Sequence, residues 1–165
     1  MVVNQQKNAD YESDNVKDKN NILSFNQAFA TEYMQDLTGF EIFGGNAESS
    51  NNNSYSNNYS LKIIKESSYS DVRLGNTGEP FGLTVPAGTR LRFNCKIYCT
   101  TSKITINCAN QGNEGSVKVE GGIIGEWTDI TITFTATSGK FTIAFQSINN
   151  INNIIYVDNL SLEVV

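Results

Sequence analysis

No histidine occurs anywhere in the chain. Imidazole is the commonest base near neutral pH and the commonest metal ligand, so its absence removes most catalytic triads and most transition-metal centres. Neither Gly-x-Ser-x-Gly nor a phosphate-binding glycine loop stands in its place. Positive charge is in deficit, with 12 Lys and Arg against 17 Asp and Glu. A surface with that balance is not built to neutralise nucleic-acid phosphates or an anionic membrane. Long apolar runs are missing too: no stretch approaches the ~18 residues a spanning helix requires. Met1 to Asn20 holds no apolar core of a secretion signal. The chain is thus expected to be neither a Sec substrate nor a membrane protein, and nucleic acid is not an expected partner. Cysteine is scarce and odd in number, and Cys95, Cys99 and Cys108 lack a zinc-like spacing, so buried reduced thiols are expected. A chain of 165 residues can bury a core without such staples.

What is present divides the chain in two. Residues 1–20 are Asn, Gln, Lys and Asp with little apolar content, too little to offset the entropy of ordering. They read as a polar N-terminal arm that gains order only on its own domain or on a partner. Residues 21–165 read as one domain. From Leu61 onward, short runs rich in Ile, Val, Thr and Phe alternate with polar residues and are broken by Gly and Asn, which is strand and turn chemistry. In the clearest run, Leu91, Phe93, Cys95, Ile97 and Cys99 interleave with Arg92, Asn94, Lys96 and Tyr98, as a strand with one dry and one wet face demands. Ile104 to Cys108, Ile130 to Ala136, Phe141 to Phe145 and Ile154 to Val165 repeat that logic. The polar tract Asn51 to Ser60 reads as a loop, and a short helix is expected within Asn26 to Gln35. The fold class is all-β, a sandwich or barrel.

Several segments together resemble a known group. Asn21-Ile22-Leu23 with Phe29, Leu37-Thr38-Gly39-Phe40, Tyr59 to Ile63, Val85 to Phe93, Trp127 to Ala136 and Ile155 to Leu162 follow one another in the order of the galactose-binding-like jelly rolls. The chain resembles the carbohydrate-binding modules of that group, the type of families 4, 9, 16 and 22. The resemblance implies a jelly-roll β-sandwich over 21–165, and for Asp158 a role in a structural calcium site, where a hard cation takes oxygen ligands. Where the family carries Glu after its N-terminal Phe this chain has Ala30, with Glu32 two residues later.

Function must be argued from sites, since the fold alone does not fix it. Glu114, Glu120, Glu126 and Asp129 bracket a glycine-rich stretch, but they read as solvated loop charges and not as a glycosidase pair. No catalytic residue is expected. A glycan would need aromatic faces for its C–H surfaces and amides or charges for its hydroxyls. Arg92, Asn94, Lys96 and Tyr98, joined by Thr105 and Asn107, are the candidate glycan-binding set. Tyr55, Tyr59 and Tyr69 could add stacking surfaces if the Asn-rich loop folds over them, and Trp127 is expected to pack structurally. The expected role is a non-catalytic adhesion or structural protein, foremost a bacteriophage virion surface component, a capsid decoration or fibre, anchored to other virion proteins by its arm. A module of a secreted, extracellular glycoside hydrolase is the alternative.

Overall fold

The computed structural model describes residues 40–43, 45–56, 58–66, 70–74, 83–147 and 152–165. Within them the chain forms eleven strands and no helix: β1 (Phe40–Phe43), β2 (Asn46–Ser50), β3 (Ser60–Ile64), β4 (Ser70–Leu74), β5 (Leu83–Thr84), β6 (Thr89–Cys99), β7 (Ile104–Asn110), β8 (Val117–Gly121), β9 (Trp127–Ala136), β10 (Lys140–Ser147) and β11 (Ile154–Val164). The arm over 1–20, the helix expected within 26–35, Glu32 and Tyr69 lie outside the described residues.

The strands pair antiparallel into two sheets. One runs β1-β4-β10-β7-β8, with β5 also on β10, and the other runs β2-β3-β11-β6-β9. Pleating turns alternate residues to opposite faces, and each sheet puts its apolar set inward. Leu91, Phe93, Cys95, Ile97 and Cys99 of β6 are all buried, as the alternation requires. Aromatic pairs join the layers: Phe93 of β6 meets Phe145 of β10 at 6.1 Å, and Phe134 of β9 meets Phe141 of β10 at 5.3 Å. Burying a phenylalanine of this kind contributes about 1.5–3 kcal/mol, so these rings fix how the sheets sit on one another.

Two fully buried asparagines, Asn110 and Asn153, make polar ties across the fold. Asn110 of β7 donates through Nδ2 to the Thr135 carbonyl at 2.8 Å and accepts from the Thr137 amide at 3.2 Å. Asn153 organises the connection from β6 to β7: its Oδ1 accepts from the Thr101 amide and hydroxyl and from the Ser102 amide, at 3.3, 2.8 and 3.2 Å. That connection carries the chain from one sheet to the other, so β6 and β7 are consecutive but never paired.

One early strand lies where the sequence shows no strand pattern. β2, Asn-Ala-Glu-Ser-Ser, has only Ala47 to bury and is ordered by pairing with β3 at the sheet's edge. Tertiary pairing overrides weak local preference there.

All three cysteines are buried and unpaired. Burial pushes the Cys108 thiol up to about 12 and raises Cys95 and Cys99 as well, which removes the nucleophilic thiolate. Ellman's reagent should therefore label no thiol in the native protein and all three after unfolding. Stoichiometric labelling under native conditions would contradict this core.

Candidate functional site

The outer face of the five-stranded sheet carries a row of side chains in register. Glu48, Lys62, Tyr156, Tyr98 and Trp127 face one another in turn across β2, β3, β11, β6 and β9. Tyr98 sits between two rings, 5.7 Å from Trp127 and 6.2 Å from Tyr156. It is an interior member of an aromatic row and not the open platform that its strand position suggested. Arg92, Asn94 and Lys96 of β6 also have protein partners. Lys96 pairs with Asp129 at 2.6 Å and Arg92 with Glu163 at 3.2 Å, while Asn94 donates to Ser161 and accepts from Thr131 at 3.2 and 2.9 Å. Trp127 is reached through a tight turn. Gly122 has φ +97°, and a Cβ there would lie 2.4 Å from the Cys99 sulfur, so only glycine lets the chain turn against β6 into β9.

Residues 51–56, 58 and 59 of the Asn-rich segment fold over this face, and Asp158 holds them. The Asp158 side chain is fully buried. Its Oδ2 accepts from the Tyr55 and Ser56 amides, each at 2.9 Å, and its Oδ1 from the Asn159 amide at 2.7 Å and the Ser56 hydroxyl at 3.3 Å. The loop is further tied by the Ser60 hydroxyl donating to the Asn53 carbonyl at 2.6 Å. Burial raises the Asp158 pKa, and the amide and hydroxyl donors draw it back without cancelling that rise. Calcium needs lone pairs turned toward the ion. Here both carboxylate oxygens already face N–H and O–H donors, whose positive hydrogens occupy the coordination directions. The surroundings of Asp158 fit a loop anchor and do not fit a calcium ligand.

With the loop so held, Tyr55 reaches the aromatic row. Its ring lies 5.8 Å from Trp127 at 63°, and the Lys96 ammonium sits 4.2 Å from its centroid. Tyr59 instead packs, partly buried, against the core. Glu114, Glu120 and Glu126 are exposed, and Asp129 is 77% exposed in its ion pair with Lys96.

Asn107 is elsewhere, contrary to its grouping with the β6 residues. Because the chain changes sheet between β6 and β7, the outward residues of the two strands point away from opposite sides of the sandwich. On the six-stranded sheet Asn107 stands opposite Ala144 of β10, which stands opposite Arg73 of β4. Together with Ala109, Asn113, Thr142 and Gln146 they line a cleft of about 190 Å³. Its floor is methyl and its walls are amide and guanidinium. Asp71 orients Arg73 by accepting from Nε at 2.9 Å and Nη2 at 2.8 Å. The Asn107 Oδ1 is buried and meets no hydrogen-bond donor among the described residues. Arg73, Thr142 and Gln146 were not foreseen; Gln146 and Thr142 follow the same alternation as Phe141 to Phe145, which is where a signal existed.

No protein-family model and no curated protein matches the sequence. Solved structures do match. TmCBM61, determined with β-1,4-galactotriose, shares 18% identity and a TM-score of 0.61 over 88% of this chain and 99% of its own. The chain has the jelly-roll fold of carbohydrate-binding modules. A second such structure is the CBM22-1–GH10 portion of Clostridium thermocellum endo-1,4-β-D-xylanase 10B with xylohexaose, at 14% identity and a TM-score of 0.55, covering 76% of this chain and 26% of that one. A third is the enzymatically active domain of bacteriophage CBA120 tailspike protein 4, at 10% identity and a TM-score of 0.62, covering 88% of this chain and 21% of that one. At these identities the likeness establishes the jelly-roll fold and its all-β class.

Removing the loop anchor should be costly. Asp158→Ala leaves the part-buried Tyr55, Ser56 and Asn159 amides without their acceptor and should lower stability by roughly 1–3 kcal/mol in urea unfolding. The pH dependence has a definite sign: with the native pKa raised above the unfolded value, the stability owed to this carboxyl is complete below the usual carboxylate range. It is lost as pH rises through the native pKa. Wild type should therefore gain stability relative to Asp158→Asn as pH falls from about 7 to about 4, and a constant difference would reject that environment.

Proposed function

We propose that this chain is a non-catalytic glycan-binding adhesion module displayed on a virion surface, as a capsid decoration or fibre component. The observation that carries the glycan reading is the cleft over Ala144. A buried amide oxygen on Asn107 lacks a donor among the described residues, next to a guanidinium already oriented by a buried carboxylate. Buried polar atoms are nearly always satisfied, and Asn107 lines the cleft, so an amide turned toward it finds its missing partner in what enters. Sugar hydroxyls donate and accept at once, which matches an amide oxygen beside N–H donors. Ala144 and Ala109 leave room for a ring to lie against the sheet. No acid and base converge there, so the chemistry offered is binding.

Display on a virion is supported by the occurrence of the same fold within a phage tailspike, of which this chain covers 21%. A second reading is a targeting module of a secreted glycoside hydrolase, supported by the xylanase structure, of which the chain covers 26%. In that setting the module would concentrate an attached enzyme on its polysaccharide. Residues 1–20 separate the readings: their deletion should leave the sandwich folded and, for a virion component, abolish incorporation into particles. Unchanged incorporation rejects the arm as the anchor.

The glycan reading is tested on an array of neutral oligosaccharides that includes xylohexaose and β-1,4-galactotriose. Each net hydrogen bond contributes only about 0.5–1.5 kcal/mol, so the expected affinity is millimolar to micromolar. Asn107→Ala and Arg73→Ala should each weaken binding about tenfold or more, since a lost charged or buried bond costs roughly 1.5–3 kcal/mol. An array without any ligand would reject the reading.

A further inference from the structure

Tyr55 presents an unusual arrangement. Its backbone amide is fixed by a buried carboxylate and its loop is tied at several points, yet the residue remains 49% exposed. Ordering a polar loop costs about 1–2 kcal/mol per residue in backbone entropy alone. A loop that served only to cover the sheet would bury its aromatic ring; this one holds the ring up. The ring has a fixed orientation, set by Trp127 at 5.8 Å and by the Lys96 ammonium at 4.2 Å, so the exposure that remains lies away from the ammonium. Trp127 is itself only half-buried.

We infer that Tyr55 and Trp127 form a second sugar-binding corner, on the face of the sandwich opposite the Asn107 cleft, which takes a ring of a neutral glycan chain by stacking. This rests on the glycan-binding reading above and adds an independent site to it. Two rings inclined at 63° offer a sugar ring one aromatic face and one aromatic wall. The exposed amides of Asn51, Asn52 and Asn58, on the same loop, supply donors and acceptors for hydroxyls. The charges near the corner select a neutral ligand: Lys62, Arg92 and Lys96 are paired with Glu48, Glu163 and Asp129, and the exposed Arg90 stands at the far end of β6, eight positions from Tyr98. No surplus of either sign is left by these pairs to attract a phosphate, a uronate or a basic peptide. Asp158 acts as a positioning residue, since it contacts the loop amides and not the corner itself.

The chain's single tryptophan makes the corner separately visible, because all tryptophan emission comes from Trp127. The full-length protein is titrated with cellohexaose, mannohexaose and xylohexaose, following emission and calorimetric heat in parallel. The expected result is a saturable change in emission with at least one hexaose and two sites per chain by calorimetry. The emission midpoint should stay within about twofold in Asn107→Ala. It should shift at least tenfold in Tyr55→Ala, a variant that keeps the amide bound by Asp158, while Tyr55→Phe should bind as wild type does. Heat without any emission change, abolished by Asn107→Ala, would overturn the corner and leave the cleft standing. An emission change that survives Tyr55→Ala, or that disappears with Asn107→Ala, would also overturn it. Neither heat nor emission change with any of the three hexaoses would reject both sites.

Discussion

Burying alternate residues of paired strands between two sheets is the constraint from which the rest of the molecule follows. Once Leu91, Phe93, Cys95, Ile97 and Cys99 face the core, Arg92, Asn94, Lys96 and Tyr98 have only the opposite face available. The rings of Phe93 and Phe145 then lock the layers together, and the two outer faces become separate chemical environments about one sandwich thickness apart, on the order of 10 Å between sheets. One environment is aromatic and ion-paired. The other is small-floored and amide-rich.

The bulge in β11 shows how the core and the loop are reconciled. Strict alternation from Val157 inward would put Asp158 and Leu160 on the same outer face. The pairing with β6 instead slips by one residue between Asp158 and Ser161, with Asn159 at φ 49°. The extra residue changes the phase, so Asp158 stays on the outer face while Leu160 and Leu162 are buried in the core. Asn tolerates the left-handed conformation better than most residues. An acidic side chain is thereby delivered beneath the loop at the point where the Tyr55 and Ser56 amides need an acceptor.

Much of this is readable in the order of residues. The inward set of β6, the turn-forming Asn tract and the strand character of Ile154 to Val165 follow from period, composition and turn chemistry. Even the bulge leaves a trace, since the apolar positions of Val157, Leu160 and Leu162 change phase across Asn159. Period, however, distinguishes only inside from outside and is silent on which sheet a strand joins. That is why Asn107 was grouped with β6 when the Asn153-organised crossing sends it to the other face. Asp158 is illegible for a different reason. A carboxylate is an equally good acceptor for a cation and for backbone N–H groups, and only the fold of the loop decides between them. Arg73 lay in a short segment, Ser70 to Leu74, without neighbours in sequence to suggest a site.

Opposed sites would have a consequence for how such a module holds a surface. Linked sites multiply affinity only when one ligand can reach both, and the gain vanishes where geometry forbids simultaneous engagement. Two sites on opposite outer faces of a sandwich look in opposite directions, so a single extended glycan chain cannot lie along both. Each site then keeps its own weak affinity, and one molecule bridges two glycan chains instead of gripping one twice. Firm attachment must come from many copies acting together, since each added copy raises the local concentration of the next. A repetitive particle surface supplies such copies directly. A module tethered to a single enzyme does not, and there the same weak pair of sites would favour an enzyme that dissociates and moves among neighbouring chains.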